Sequence, residues 1–123
     1  MIKRANTVKK QIPLPKLLKR TQIIFNAWIR NRDKDKGCVS CGGEIHHAGH
    51  YRAQGNFSSL RFNEMNCQGQ CLPCNYHKHG NLIEYRKGLV SRYGEEKVLW
   101  LENVTPMKKW TRFELEQIIK IYK

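Results

Sequence analysis

Apolar residues near the N-terminus recur at the spacing of an α-helix. Between Leu17 and Ile29 they fall one, three and four positions apart, which places their side chains on one helical face. The residues of this stripe are Leu17, Leu18, Thr21, Ile24, Phe25, Trp28 and Ile29. Pro13 and Pro15 precede the stripe, and we expect them to keep the N-terminal arm outside the helix. The pattern predicts a long amphipathic helix that packs on the core.

The second half of the chain carries three further helical signals. Residues of one helical face recur from Asn81 to Tyr93, and Gly94 ends the pattern. Glu95 to Glu102 has the length of a short helix. Thr111 and Glu114 form a capping box at the start of a C-terminal helix. The apolar and aromatic residues of the first helix that share one face are Leu82, Tyr85, Leu89 and Tyr93, and those of the last helix are Leu115, Ile118, Ile119 and Tyr122.

Residues 37–80 have a different pattern, with Gly, Cys, His and Asn crowded together and little helical period. Glu44 to Arg52 and Ser59 to Asn63 are predicted to pair as a short hairpin across the turn Gln54-Gly55-Asn56. A helix is predicted to start after Cys71. We expect this region to be held together by something other than a large apolar core.

The length and composition predict one compact cytoplasmic domain. The chain has 123 residues, and we divide it into a basic arm and helix (1–36), a central core (37–94) and a C-terminal helical extension (95–123). No run of about 18 apolar residues and no secretory signal is present, so we expect no membrane partner. Five cysteines in a reducing compartment favour metal binding or burial over disulfides.

Positive charge is concentrated in the first third of the chain. The formal net charge is +13, and residues 1–36 carry eleven Lys and Arg against Asp33 and Asp35. Such a field most commonly neutralises nucleic-acid phosphates, although a membrane surface or solubility are alternatives. On the helix, the basic edge is either solvated or in contact with DNA. The candidate DNA-binding residues are Lys3, Arg4, Lys9, Lys10, Lys16, Lys19, Arg20 and Arg30.

Two cysteine pairs have the spacing of a zinc site. Cys38-Val39-Ser40-Cys41 and Cys71-Leu72-Pro73-Cys74 are C-x-x-C motifs separated by 29 residues. Each pair offers two thiolates from one tight turn, and zinc prefers four such ligands in a tetrahedron. With all four positions filled, the predicted zinc ion is structural, because no open position remains for a substrate. A redox dithiol is the alternative, and the fifth cysteine, Cys67, is predicted to be buried.

The segment between the two pairs contains more chemistry than a zinc ribbon requires. It includes His46-His47-Ala48-Gly49-His50-Tyr51 and, five residues before Cys71, Asn66. Phosphodiester hydrolysis needs a base that activates water and a cation that stabilises charge on the phosphate. One imidazole can act as the base, and a few nitrogen or oxygen ligands can hold a magnesium-type ion.

This order of residues resembles the HNH nuclease pattern. By that resemblance, His50 is the general base at the end of the first strand and Asn66 is the central asparagine that fixes the loop. Asn75, directly after Cys74, takes the place of the last histidine as a metal ligand. The fold so implied is α+β: a small ββα-metal core on a treble-clef zinc site, flanked by N- and C-terminal helices.

A closer resemblance covers roughly residues 22–103. The segments that carry it are 25–33 (FNAWIRNRD), 38–42 (CVSCG), 48–52 (AGHYR), 60–64 (LRFNE) and 80–86 (GNLIEYR). In these segments the chain is similar to the NinG, or Rap, recombination endonucleases of temperate phages. The resemblance implies a metal-dependent endonuclease that cuts branched recombination intermediates, such as Holliday junctions and D-loops, in the host-cell cytoplasm.

The chain departs from the family pattern at the catalytic metal site. His47 stands where the family has aspartate, and Gly49 stands where the usual HNH site has its ligand immediately before the base. Residues 47 and 49 of a strand project to the same side, so His47 could replace that ligand. His79 is a further candidate ligand if one helix joins it to Asn75. A surface position is the alternative for either histidine, and the ion is Mg²⁺ or Mn²⁺, with nickel or zinc also compatible with histidine.

Two arginines flank the proposed site. Arg52 and Arg61 could clamp a phosphate, although arginines are also common on a solvated hairpin.

Two other functions remain open. The chain could be a zinc-dependent nucleic-acid-binding module without catalysis. It could also be a sequence-specific homing or restriction enzyme, although no separate recognition domain is evident. Paired cuts across a junction would favour a homodimer.

Overall fold

A computed structural model describes residues 11–123, which form four α-helices and a two-stranded sheet. The fold class is α+β, as predicted. In chain order the elements are α1 (Leu14–Asp33), β1 (His47–His50), a 3₁₀ turn (Ser58–Leu60), β2 (Cys67–Gln70), a π-helical turn (Pro73–His77), α2 (Leu82–Tyr93), α3 (Glu95–Asn103) and α4 (Arg112–Tyr122).

Helix α1 packs its apolar face on α4 and on one side of the sheet. Phe25 and Ile29 are fully buried, and the Phe25 ring meets the Tyr122 ring edge to face at 4.8 Å. The predicted stripe is therefore confirmed. Pro15 lies inside the first turn of α1 and not before it, because a helix tolerates proline where the N–H has no intrahelical partner.

The three later helices also form as predicted. Helices α2 and α3 enclose a second apolar cluster around Tyr85, Leu89, Val98 and Leu101. Helix α4 begins with the capping box, in which Thr111 and Glu114 exchange hydrogen bonds with each other's backbone N–H. The segment 95–123 divides between the two clusters, since α3 packs on α2 and α4 packs on α1.

The predicted hairpin is wrong in its second strand. β1 pairs antiparallel with β2, so that His47 lies opposite Gln70 and His50 lies opposite Cys67. Residues 58–60 form a 3₁₀ turn instead, and the Asn63 side chain caps the following turn. β2 is only four residues long and its buried side chains are largely polar. It therefore lacks the apolar alternation on which a strand prediction depends.

The helix start predicted after Cys71 is present, but only as a short π-helical turn. The π-helical turn ends at His77, and His79 has a positive φ of 50°. The Lys78 N–H bonds back to the Pro73 carbonyl and the Gly80 N–H to the Cys74 carbonyl, which closes the turn. His79 therefore does not share a helical face with Asn75.

Within residues 11–123, no helix combines the length and the apolar character needed to cross a bilayer.

Candidate functional site

The four paired cysteines come together at one end of the sheet. The sulfur atoms of Cys38, Cys41, Cys71 and Cys74 all lie within 4.8 Å of one another. The Cys41 and Cys71 sulfurs are 3.6 Å apart, close to the edge of about 3.8 Å that a tetrahedron of zinc–sulfur bonds requires. The residues present therefore fit a structural zinc ion.

Hydrogen bonds and burial act differently on the individual thiols of the cluster. Backbone N–H groups point at two of the sulfurs: Gly43 donates to Cys41 and Cys74 donates to Cys71, both at 3.4 Å. Burial acts to raise the pKa of Cys38, but backbone hydrogen bonds outweigh it and lower the pKa to about 7. Burial raises the pKa of Cys71, and hydrogen bonds with the neighbouring thiols raise it further. A divalent cation would stabilise all four as thiolates.

Two further features near the four cysteines agree with prediction. Gly42, after the first pair, has a φ of 81°, which glycine adopts without steric cost. Cys67 is fully buried and lies outside the cluster. Burial raises the pKa of its thiol, as expected for a small buried side chain that binds no metal.

His47 and Asn75 lie close together on one face of the sheet. These residues are 28 positions apart in sequence, yet the Asn75 amide nitrogen lies 3.2 Å from Nδ1 of His47. Gly49 lies on the same face as His47, and a Cβ at Gly49 would stand 3.0 Å from the Asn75 amide oxygen. The two predicted metal ligands are thus neighbours beside a glycine.

His50 lies on the opposite face of β1, toward α1. Its Nε2 is 3.0 Å from the Arg61 carbonyl oxygen, which also accepts a hydrogen bond from the Gln22 amide at 3.1 Å. A carbonyl only accepts, so Nε2 of the neutral ring carries the proton and Nδ1 is the basic nitrogen. Burial lowers the pKa of His50, while the hydrogen bond with Arg61 acts in the opposite direction. The imidazole is therefore neutral at pH 7.

A cleft of about 310 Å³ contains three of the predicted site residues. His50, Arg52 and His79 line it together with Tyr51, Ala53, Phe57 and Leu82. The Arg52 guanidinium lies 3.9 Å from the centroid of the Phe57 ring. Arg61 lines a separate cleft and donates to the Gln22 side-chain oxygen at 3.0 Å. The two arginines therefore do not face one common phosphate position.

Asn66 connects the two loops that flank the sheet. Its amide oxygen accepts the Arg52 N–H at 2.9 Å, and its amide nitrogen donates to the Arg52 carbonyl at 3.1 Å. The residue is fully buried. It fixes the loop after β1 to the end of the segment before β2.

The predicted DNA-binding residues fall into two groups. Lys3, Arg4, Lys9 and Lys10 lie outside the described residues. Lys16, Lys19, Arg20 and Arg30 are exposed on α1. Within residues 11–123, none of these four forms an ion pair, so their charge faces solvent. Lys19 lines the cleft that contains Gln22 and Arg61.

Two buried glutamines near the site were not predicted. Gln22 interrupts the apolar stripe of α1 and contacts both His50 and Arg61. Gln70 directly precedes Cys71 and lies beside Gly49. A polar residue at a core position of the helical stripe was a usable signal for Gln22. No sequence period pointed to Gln70.

Comparison with known proteins places the chain among phage proteins. The family described as "Bacteriophage Lambda NinG protein" matches residues 2–123. Over 104 residues, or 82% of this chain, the sequence is 44% identical to "Protein ninG" of Escherichia phage lambda and 42% identical to that of Escherichia phage 933W. "Protein ninG" of Salmonella phage P22 is 41% identical over the same length.

The chain corresponds to only part of each relative. The chain spans about half the length of the curated relatives it matches, 51% for phage lambda and 52% for phage 933W. No solved structure matches the chain significantly. The family match nevertheless covers nearly all of the residues, and the chain therefore belongs to the NinG family.

Proposed function

We propose that this chain is a metal-dependent DNA endonuclease of the HNH type, which hydrolyses phosphodiester bonds in branched DNA. The observation that carries the proposal is the approach of His47 and Asn75, at 3.2 Å, on the strand that ends in His50. In this reading β1, β2 and the turn after Cys71 correspond to a ββα-metal core, and the four-cysteine cluster holds it in shape.

The proposed catalytic metal is Mg²⁺ or Mn²⁺. His47 and Asn75 supply an imidazole nitrogen and an amide oxygen on one face of the sheet. An imidazole in the set favours Mn²⁺ over Mg²⁺. When bound, the cation would stabilise negative charge on the phosphate and on the leaving 3′ oxygen.

His50 is the proposed general base. Its ring is neutral at pH 7, and the Arg61 carbonyl fixes which nitrogen carries the proton. The imidazole would take a proton from water, the hydroxide oxygen would bond to phosphorus, and the bond from phosphorus to the 3′ oxygen would break. Arg52 in the same cleft would contact the phosphate. Arg61, in the neighbouring cleft, would contact an adjacent phosphate, and Asn66 would hold the loop that positions His50 and Arg52.

The proposed substrate is DNA because the exposed residues of α1 form a basic edge beside the site. Lys16, Lys19, Arg20 and Arg30 are free to bind phosphates. Branched DNA is favoured by the resemblance to recombination endonucleases. A junction has two related strands to cut, so a homodimer is the proposed active form.

The test is cleavage of labelled Holliday junction, flap and linear duplex DNA by the zinc-loaded protein. We expect cuts in the branched substrates when Mg²⁺ or Mn²⁺ is added and none without an added ion. Binding to all substrates without cleavage under any ion would indicate a non-catalytic module instead. Cleavage of linear duplex at one sequence would indicate a homing or restriction type of enzyme.

A further inference from the structure

Gln70 is a fully buried side chain with one polar atom unpartnered. Its amide nitrogen donates to the Gly80 carbonyl at 2.7 Å and to the Ser40 hydroxyl at 2.8 Å. Its amide oxygen has no hydrogen-bond partner among the described residues. Buried acceptors are rarely left unpaired, because desolvation without a partner is unfavourable. The free oxygen therefore needs an explanation.

The orientation of this amide is fixed by its neighbours. The Gly80 carbonyl can only accept a hydrogen bond, so the nitrogen end of the Gln70 amide must face it. Turning the amide over would bring two oxygens together at 2.7 Å. The oxygen therefore points the other way, toward β1.

The free oxygen and the Asn75 amide oxygen both lie beside Gly49. A Cβ on Gly49 would stand 1.9 Å from the Gln70 oxygen and 3.0 Å from the Asn75 oxygen. No side chain fits at position 49 while Gln70 holds this position. Gln70 also lies directly opposite His47 in the sheet register. Two amide oxygens and one imidazole thus share one face beside a glycine.

We infer that the Gln70 amide oxygen is a ligand of the divalent cation at this face, together with Asn75 and His47. The inference rests on the proposed function and deepens it. Amide oxygens are suitable ligands for Mg²⁺ and Mn²⁺. The Gln70 oxygen occupies the space that a side chain of residue 49 would fill, and so supplies an oxygen ligand that Gly49 cannot. All three ligands are neutral, so phosphate oxygens of bound DNA would complete the charge balance.

The same strand provides a matched control. Gln68 is also fully buried, but both ends of its amide are paired. Its oxygen accepts from Arg92 at 2.8 Å, and its nitrogen donates to the Met65 carbonyl at 2.9 Å and the Tyr93 hydroxyl at 3.0 Å. A glutamine with only a structural role in β2 should behave like Gln68.

The experiment is a titration of zinc-loaded protein with Mn²⁺, in which the electron paramagnetic resonance signal reports free Mn²⁺. Gln70→Met should lower the Mn²⁺ affinity by at least about tenfold while zinc content is retained. Gln70→Glu keeps an oxygen at the ligand position, and should retain or tighten Mn²⁺ binding. Gln68→Met should lower the melting temperature without changing the affinity.

A structural role for Gln70 predicts a different outcome. Met and Glu both lose the hydrogen bond that the Gln70 amide donates to the Gly80 carbonyl, so both would then have the same effect on Mn²⁺ affinity. That result, or wild-type affinity in Gln70→Met, would overturn the inference and leave the proposed function intact. Should Gln70→Met fail to fold, Gln70→Glu decides alone, and weakened binding in it counts against the ligand role. A wild-type protein that neither binds Mn²⁺ nor cuts DNA would overturn both.

Discussion

The helical body (α1 to α4) and the cysteine region (residues 37–80) are stabilised by different interactions. The buried side chains of the helical body are largely apolar, such as Phe25, Tyr85 and Leu115. In the cysteine region Asn66, Gln68 and Gln70 are equally buried, next to the four paired cysteines. Apolar burial is non-directional, whereas hydrogen bonds and metal ligands fix individual atoms. Candidate chemistry therefore lies in the cysteine region, where individual atoms are held in place.

The sheet is the boundary between the two regions. Ala48 packs against the cluster around α1, and His50 on the same face contacts Gln22 of that helix. His47 and Gly49 face the turn after Cys71. A variant in the helical body should therefore affect mainly stability, and a variant in the cysteine region should affect mainly metal binding and cleavage.

The largest expected effect is the loss of a zinc ligand. Cys71→Ser should lose zinc and with it cooperative folding, because a structural zinc site contributes on the order of 10–16 kcal/mol in small peptides. Cys67→Ser should keep zinc, since Cys67 lies outside the cluster. Metal analysis and thermal unfolding followed by circular dichroism measure both. Equal zinc content in the two variants would contradict the ligand assignment.

The two regions also differ in how well the sequence predicted them. The helices carry their own signals, namely the apolar stripe of α1 and the capping box of α4, and all four formed. The cysteine spacing predicted the four-sulfur cluster for a similar reason: the chemistry needs those residues at that spacing. Local patterns of this kind can be recognised in a single sequence.

The unpredicted parts depend on contacts between distant residues. β2 has no apolar period because Gln68 and Gln70 are held by hydrogen bonds to other segments. The segment expected to form a strand ends in a turn instead, in which the Asn63 side-chain oxygen accepts the Met65 N–H. The position of Gln70 beside Gly49 follows from the register of the sheet, and nothing in the local sequence around either residue specifies it.

The second prediction concerns the loss of apolar contacts in the helical body. Phe25 is fully buried and its ring packs against Phe62 and Tyr122. Phe25→Ala should lower the free energy of unfolding by about 3–5 kcal/mol, while folded protein keeps its zinc. Phe113 is 69% exposed, so Phe113→Ala should change stability by less than about 0.5 kcal/mol. Chemical denaturation with parallel zinc analysis measures the effect. Zinc loss from folded Phe25→Ala would contradict the separate stabilisation of the two regions.

The third prediction concerns the boundary itself. His50→Ala should reduce DNA cleavage by about 10²–10⁴-fold, the range for loss of a general base, with DNA affinity unchanged. His77 is exposed, and His77→Ala should cleave normally. Single-turnover rates at saturating DNA test this, and a near wild-type rate in His50→Ala would exclude the assigned role.

The cleavage rate should also depend on pH through the same residue. Burial lowers the pKa of His50, and the base must be neutral to accept a proton. As the pH falls, activity should therefore persist below about 6.5, the ordinary pKa of histidine, and decline only when the lowered pKa is reached. A decline centred above pH 6.5 would contradict a buried base.

A smaller effect is expected from the basic edge of α1. Lys19 and Arg20 are exposed, and each phosphate contact contributes about 0.9 to the slope of log affinity against log salt. Changing both to alanine should make that slope shallower by up to about 1.8, with the cleavage rate at saturating DNA preserved. Lys97→Ala on α3 is the control. An unchanged slope would mean that these residues are only solvated.

The smallest expected effect is the loss of a helix cap. The Thr111 hydroxyl accepts the Glu114 N–H at 3.2 Å, and the Glu114 carboxylate accepts the Thr111 N–H at 2.9 Å. Thr111→Ala removes the first of these bonds and should lower the free energy of unfolding by about 1 kcal/mol. Thr105 is exposed and does not cap a helix, so Thr105→Ala should have little effect. Thermal unfolding compares the two variants, and Mn²⁺ and zinc binding should be unchanged in both. Weaker metal binding in Thr111→Ala would show that α4, through its packing on α1, also controls the geometry of the cysteine region.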